Sequence, residues 1–181
     1  MWSIDTIPGL PQDKDGYENL VVAVDAFTKL VEIGKLKTKS AAEMAEWIEF
    51  NILARYGAPR IIRTDNGTEY MGEVDDLLKD YGIKRHFTSP AYPQANGQAE
   101  RVVGIIKLIL RKYLDGLHES LWSDFLPQVL YFLRFTPAKA TGITPFEAAF
   151  GFEPYVPTLI QIGQATEFTI DYRKLDKEAE Q

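Results

Sequence analysis

The sequence predicts an α/β fold: a mixed five-stranded sheet, three antiparallel strands then parallel ones, flanked by helices. Three observations carry this reading. The strand-like runs "WSIDTI", "LVVAVDAF" and "KLVEIGKL" are joined by short connections that contain no helix-length segment, which suits an antiparallel meander. Two further strand-like runs, "PRIIRTD" and "IKRHFT", each follow a helix-length segment, the spacing that parallel strands need. From residue 99 onward the pattern turns helical.

Each element has its own local reason. "WSIDTI" alternates and then meets Pro8-Gly9, a strand running into a turn. "PQDKDGYEN" is a polar loop. "LVVAVDAF" is almost wholly apolar, so it predicts a strand buried on both faces. Ser40 followed by Glu43 is a capping-box signature for the helix "AAEMAEWIEFNILARY", and Gly57 is a natural C′ residue to end it. Pro59 begins the fourth strand. "EVDDLLKDYG" is a short helix closed by Gly82, and "IKRHFT" is the fifth strand. "SPAYPQANGQ" reads as a loop, "AERVVGIIKLILRKYL" as a long helix and "LWSDFLPQVLYFLRF" as another. "TGITPFEAAFG" is a short helix with Thr144 as cap, Pro145 in the first turn and Glu147 closing the box. Residues 1–165 form one domain, and the polar tail 166–181 is expected to fray.

Composition narrows the function classes. The 181 residues are 45 % hydrophobic and 25 % charged, ordinary for a single globular domain. No apolar run approaches the length of a membrane span, and Met1 leads straight into strand-like sequence rather than a secretory signal. There are no cysteines and only two histidines, His86 and His118, which excludes disulfides and zinc modules built on Cys and His. An intracellular setting fits. The net charge of −6 and pI near 5.0 argue against a stand-alone nucleic-acid-binding module. Such a role needs a local basic face, a metal ion or another domain.

Three carboxylates stand at informative places. Asp5 lies in the middle of the first strand, where Asp is uncommon. Asp65 ends the fourth strand, the end at which open α/β sheets gather ligands. Glu100 opens the long helix after the polar loop. If the first and fourth strands are neighbours, Asp5 and Asp65 are adjacent and the helix brings Glu100 alongside. Clustered carboxylates repel, and hard oxygen ligands point to Mg²⁺ or Mn²⁺ as the neutralising ion. Two such ions about 4 Å apart would suit a phosphodiester displacement. Each residue also has a plainer reading. Asp65-Asn66-Gly67 is by itself a common turn, a Glu near a helix start favours the dipole, and Asp25 is a second strand Asp that rivals Asp5.

The segments "WSIDTI", "LVVAVDAFTKLVE", "ILARYGAPRIIRTDNGTEY", "YGIKRHFTSPAYPQANGQAER" and "TGITPFEAAFGFEP" occur in this order. Together they resemble retroviral-type integrase catalytic cores, in particular those of Ty3/gypsy LTR retrotransposons, over nearly the whole chain. The resemblance implies a ribonuclease H-like fold and a D,D,E triad of Asp5, Asp65 and Glu100. It also implies two bound Mg²⁺ or Mn²⁺ ions and a structural rather than catalytic Asp25. The chemistry it implies is 3′-end processing and strand transfer of retroelement DNA into target DNA. It further implies a homodimer or higher oligomer, no membrane, and a place in the host nucleus or a cytoplasmic virus-like particle.

The resemblance assigns DNA contacts to Tyr92, Asn96 and Gln98 on the loop and to Lys107. Lys107 and Arg111 share a helical stripe with Glu100 and Gly104, while Val102, Ile105, Ile106 and Ile109 face the core. Two departures stand out. Asp65 and Glu100 are separated by 34 residues, positions 66–99, one fewer than is usual in the family. Val103 and Gly104 occupy places where the family commonly has polar or basic residues, so lost DNA contacts are expected there. Alternatives are another ribonuclease H-like nuclease, or a domesticated interaction module with weakened catalysis. Trp122, Phe125 and Tyr131 are candidates for a dimer interface, although core packing suits them better.

Overall fold

The computed structural model describes residues 1–87, 93–138 and 141–155, and the side chains of residues 93–98 lie outside that description. The 166–181 tail therefore lies outside the described residues. Five strands form one sheet: β1 (Trp2–Ile7), β2 (Asn19–Asp25), β3 (Val31–Leu36), β4 (Ile61–Thr64) and β5 (Lys84–Phe87). Their spatial order is β3-β2-β1-β4-β5. β1, β2 and β3 pair antiparallel, whereas β4 runs parallel to β1 and β5 parallel to β4. This is the expected mixed sheet of the ribonuclease H-like fold.

The apolar run of β2 has the predicted cause. Leu20, Val22 and Val24 face one side and Val21 and Ala23 the other, and all are buried. The first face is covered by α4 (Pro93–Tyr113) and α5 (Leu126–Phe135), with Trp122, Ile105, Ile106 and Ile109 packed on the sheet. The second is covered by α1 (Ala41–Ile48) and α3 (Glu73–Asp80), through Met44, Ile48, Val74 and Leu78.

Local chemistry sets the helix boundaries. Ser40 caps α1 by accepting from the Glu43 N–H, while the Glu43 carboxylate takes the N–H groups of Lys37 and Thr38 at 2.7 Å each. The predicted first helix is longer than α1 alone. It continues through a π-helical stretch, Glu49–Leu53, and a last α-turn, α2 (Ala54–Tyr56), before Gly57 at φ 78° ends it. The Trp47 indole from α1 points its nitrogen edge at Gly34 of β3. A Cβ at Gly34 would stand 1.8 Å from the indole nitrogen, so only glycine fits.

The run "LWSDFLPQVLYFLRF" is not one helix. A 3₁₀ segment covers Glu119–Phe125 and α5 begins at Leu126 with Pro127 in its first turn. Proline has no N–H to donate backward, so it suits a helix start and not a helix interior. α6 (Pro145–Phe150) has its predicted Thr144 cap, which accepts from the Glu147 N–H.

Two buried carboxylates hold the edges together. Glu32 on edge strand β3 meets Arg134 of α5 at 2.5 Å, Arg55 of α2 at 3.4 Å, and the Tyr56 hydroxyl. Asp13, in the β1–β2 loop, accepts from the Asp15 and Tyr17 N–H groups and pairs with Lys35 at 2.9 Å. The same loop is tied to the helical layer by the Trp122 indole N–H, which donates to the Pro11 carbonyl at 2.7 Å. Trp122 is thus a core residue rather than an exposed interface residue. Phe125 stacks on Tyr113 with ring centroids 5.1 Å apart, and Tyr131 packs on Phe135 at 4.5 Å.

Candidate functional site

Asp5 and Asp65 come from adjacent parallel strands. Trp2 pairs with Ile62 and Ser3 with Arg63. Continuing that register by two residues puts Asp5 level with Asp65. Asp5 is half-buried, and its Oδ1 accepts from the Thr6 N–H at 2.8 Å. Asp65 is exposed at the mouth of the β4–α3 loop, where its Oδ1 accepts from the Gly67 N–H at 2.9 Å. The turn that the Asp-Asn-Gly triplet suggests is therefore present. Gly67 is there because of crowding, since a Cβ would come within 2.3 Å of Glu69 Oε2.

Glu100 lies on the exposed face of α4, which packs on β1 and β2. α4 begins at Pro93, earlier than the sequence pattern suggested, so Glu100 lies about two full turns into the helix rather than at its start. Proline at the first helical position has its φ already set and loses no hydrogen bond there, which accounts for the earlier start. The helix-dipole explanation for Glu100 weakens accordingly, because that effect fades beyond the first turn.

The electrostatics show that these groups feel one another. The Asp5 carboxyl is pushed above its ordinary range, first by burial and then by the negative charges of Asp65 and Glu100. The Thr6 N–H and the Lys107 ammonium partly offset this. Lys107 therefore shares the site with the three acids. The Tyr70 hydroxyl is pushed far up by burial, with Asp5, Asp65 and Glu69 adding to the effect. The site gathers the negative charges of Asp5, Asp65 and Glu100, with Lys107 among the cations near them.

The donor set suits a hard divalent cation: carboxylate oxygens only, no thiolate, and mutual repulsion that a cation relieves. Among the described residues, no three acids or histidines stand close enough to close around a single ion. The arrangement is two aspartates fixed on neighbouring strands and a glutamate facing them from a helix.

Other expectations fall out individually. Gly104, Lys107 and Arg111 are exposed with Glu100, and Ile105, Ile106 and Ile109 are buried, so the predicted stripe is present. Val103 corrects the expected loss of DNA contacts at both positions. It is buried in the core, and only Gly104 is on the exposed face. Asp25 sits at the opposite end of β1, paired with Trp2, and its Oδ2 accepts from the Thr28 N–H and hydroxyl at 2.9 Å each. Burial opposes its ionisation, but these bonds outweigh it and lower its pKa. It is a turn residue. Tyr92 lies outside the described residues. Asn96 and Gln98 fall in the first turns of α4, with side chains outside the description.

Sequence reasoning missed Arg85, Tyr70 and the ion pair between buried Glu69 and exposed Lys39, 2.9 Å long, that surround the Asp65 loop. No motif marks them, because each acts through a tertiary contact.

Known proteins show the family and the fold. Residues 1–93, just over half of the chain, match the family model described as the integrase core domain. The Gag-Pol polyprotein of feline leukemia virus is 34 % identical over 140 residues, 77 % of this chain and 8 % of the polyprotein. The Pol polyprotein of radiation murine leukemia virus is 34 % identical over 157 residues, 84 % of this chain and 26 % of that protein. The chain thus spans about a quarter or less of these relatives. Among solved structures, the HTLV-2 integrase catalytic core domain in complex with magnesium superposes with a TM-score of 0.65 at 25 % identity, in a trimeric form. The match covers 82 % of this chain and 94 % of that one. The dimeric form of the same core gives 0.64 with the same coverage. A chain of the simian T-cell lymphotropic virus intasome in complex with a PP2A regulatory subunit gives 0.69 at 24 % identity, over 86 % of this chain and 55 % of that one, and shows the shared fold. With the five-stranded topology and the family match over β1 to β5 in agreement, this chain belongs to the integrase core domain family.

Proposed function

We propose that this domain is the catalytic core of a Ty3/gypsy-type integrase that carries out divalent-metal-dependent polynucleotidyl transfer. The observation that carries the reading is the placement of Asp5 and Asp65 at the same end of adjacent parallel strands, with Glu100 on α4 packed against β1, on a sheet of integrase topology. In the reaction, water first cuts a phosphodiester next to the 3′ end of the element. The freed 3′-hydroxyl then attacks a phosphodiester of target DNA. One phosphodiester is exchanged for another, so neither ATP nor a covalent enzyme intermediate is required.

Asp5, Asp65 and Glu100 hold two Mg²⁺ or Mn²⁺ ions, which stabilise charge on the attacking and leaving oxygens when bound. Asp5, Asp65 and Glu100 would each supply carboxylate oxygens to the ions, Asp5 from β1, Asp65 from the end of β4 and Glu100 from α4. The related HTLV-2 core in complex with magnesium supports the choice of ion. Lys107, whose charge already reaches Asp5, and Arg111, further along the same exposed face, draw the DNA backbone to the acidic site. Tyr92, just before α4 in the sequence, and Asn96 and Gln98, in its first turns, contact DNA. This local basic stripe and the bound ions answer the objection raised by a net charge of −6.

The dimeric and trimeric forms of the HTLV-2 core support self-association of this chain. Its working place is the host nucleus or a cytoplasmic virus-like particle. Among the described residues, no helix is long and apolar enough to cross a membrane.

The test is a strand-transfer assay on element-end DNA in Mg²⁺ and in Mn²⁺, comparing the chain with Glu100→Gln. Joining should fall at least about a hundredfold in the variant, the scale of loss expected when a key transition-state contact is removed. Undiminished joining in Glu100→Gln would refute the assignment. Cleavage without any joining would favour the reading as another ribonuclease H-like nuclease.

A further inference from the structure

We propose that Arg85 is a positioning residue that sets Asp65 relative to Asp5 and so fixes the metal affinity of the site. The inference rests on the reading of Asp5 and Asp65 as metal ligands. Arg85 sits on β5, and its side chain is only 7 % exposed. Its Nε donates to Thr64 Oγ1 at 3.0 Å, and its Nη2 donates to the Asp65 carbonyl at 3.3 Å. Its Nη1 donates to the Tyr70 carbonyl and, at 2.7 Å, to the Asp75 carboxylate. The guanidinium carbon lies 4.5 Å from the centroid of the Phe87 ring and 5.9 Å from that of Tyr70. One planar group thus holds both ends of the turn that carries Asp65.

The bracing continues to the other aspartate. The Tyr70 hydroxyl is 2.8 Å from Thr6 Oγ1, and the Thr6 N–H donates to Asp5 Oδ1. A continuous path therefore runs from Asp5 through Thr6, Tyr70 and Arg85 to Asp65. β1 and β4 already fix the two backbones at the same level, so the path controls what the strands leave free: the conformation of the 65–70 turn. Lysine would not replace this function. Its ammonium is a compact point charge and cannot reproduce the fixed fork of guanidinium donors. A plainer role is a tack, in which the Arg85–Asp75 ion pair pins α3 to the sheet. The two roles differ in what Asp75→Asn should do. It removes the ion pair but leaves the contacts to Thr64, Asp65 and Tyr70.

The test uses this chain and its Arg85→Lys, Arg85→Gln and Asp75→Asn variants, with Mn²⁺ affinity read by paramagnetic titration. Amide hydrogen exchange at Gly67, Tyr70 and Met71, whose N–H groups are bonded within the turn, is read alongside. Both Arg85 variants should weaken Mn²⁺ binding at least about tenfold, the scale of loss for groups that orient metal ligands. They should also speed exchange at those three amides while leaving the β1–β2 amides protected. Asp75→Asn should change affinity less than about twofold. Unchanged Mn²⁺ affinity in both Arg85 variants, or an equal loss in Asp75→Asn, would overturn the proposal. Asp65→Asn in the same titration separates the two layers of inference. Binding that survives it overturns the site assignment and this role with it. Binding lost in Asp65→Asn but insensitive to Arg85 overturns this role alone.

Discussion

Asp5 is a costly residue in its own fold. It is half-buried in a central strand, and two other carboxylates raise its pKa further. An acid whose folded pKa lies above its unfolded value stabilises the fold least once it is ionised. Its penalty is absent at pH below the unfolded value and grows as pH rises through the folded one. Asp5→Asn removes that penalty and keeps an acceptor for the Thr6 N–H. The expected outcome is a rise in Tm of a few degrees at neutral pH in the presence of chelator, together with loss of metal-dependent activity. A fall in Tm measured calorimetrically would contradict it. Stability lost for function is expected at an active site and unexpected for a structural aspartate. Asp25 is the contrast: its bonds lower its pKa, so it stabilises its turn when ionised. The sequence exposed both aspartates as unusual strand residues. Geometry was needed to separate them, because what distinguishes them is which end of the sheet they occupy. Arg85 was illegible for a related reason. Nothing in "IKRHFT" says which side chain will fold back over the preceding strand.

Gly104 belongs to the scale of a single helix. It lies on the exposed face of α4, and a Cβ there would meet nothing within 4 Å. Gly104→Ala should therefore stabilise the chain by about 1 kcal/mol, the helix-propensity difference, checked by urea unfolding. No change or destabilisation would show that Gly104 has a conformational role. The same helix shows the limits of periodicity. The 3.6-residue pattern placed Lys107 and Arg111 correctly on one face with Glu100. It could not place Val103, at the boundary of the stripe, or the start at Pro93, which a loop-like composition of Pro, Asn and Gly disguised.

The β1–β2 loop is the other element with a measurable signature. Burial works against the Asp13 charge, but the Ser123 hydroxyl, Lys35 and the Tyr17 and Asp15 N–H groups outweigh it and hold its pKa well below the usual carboxylate value. Its contribution is therefore fully present above an unfolded pKa of about 3.9 and is lost as pH falls through the depressed folded value. Asp13→Asn should cost about 1.5–3 kcal/mol at pH 7, the range for hydrogen bonds to a charged group. The difference from wild type should shrink below about pH 4. A pH-independent difference in unfolding free energy would refute the charge-based account.

At the scale of the molecule, one sheet with two covered faces does two jobs. Its apolar strands bind α1 and α3 on one side and α4 and α5 on the other. Its parallel pair of strands delivers Asp5 and Asp65 to the same end, and α4 brings Glu100 and Lys107 to face them. The antiparallel and parallel directions of the strands were legible because connection lengths distinguish hairpins from crossovers, and β2 announced burial on both faces, whereas the place of β4 beside β1 came only from the structure. The electrostatic network binding the Asp65 turn was not, since it joins residues from β1, β4, β5 and α3. The central claim is that these parts converge on one metal-binding site. It is tested most directly by titrating Mn²⁺ into the chain and into Asp5→Asn, Asp65→Asn and Asp25→Asn. The account predicts that the first two variants lose at least about tenfold in affinity, as when metal binding is disrupted at or next to a ligand, while Asp25→Asn binds like the unaltered chain. Wild-type affinity in both Asp5→Asn and Asp65→Asn would contradict it.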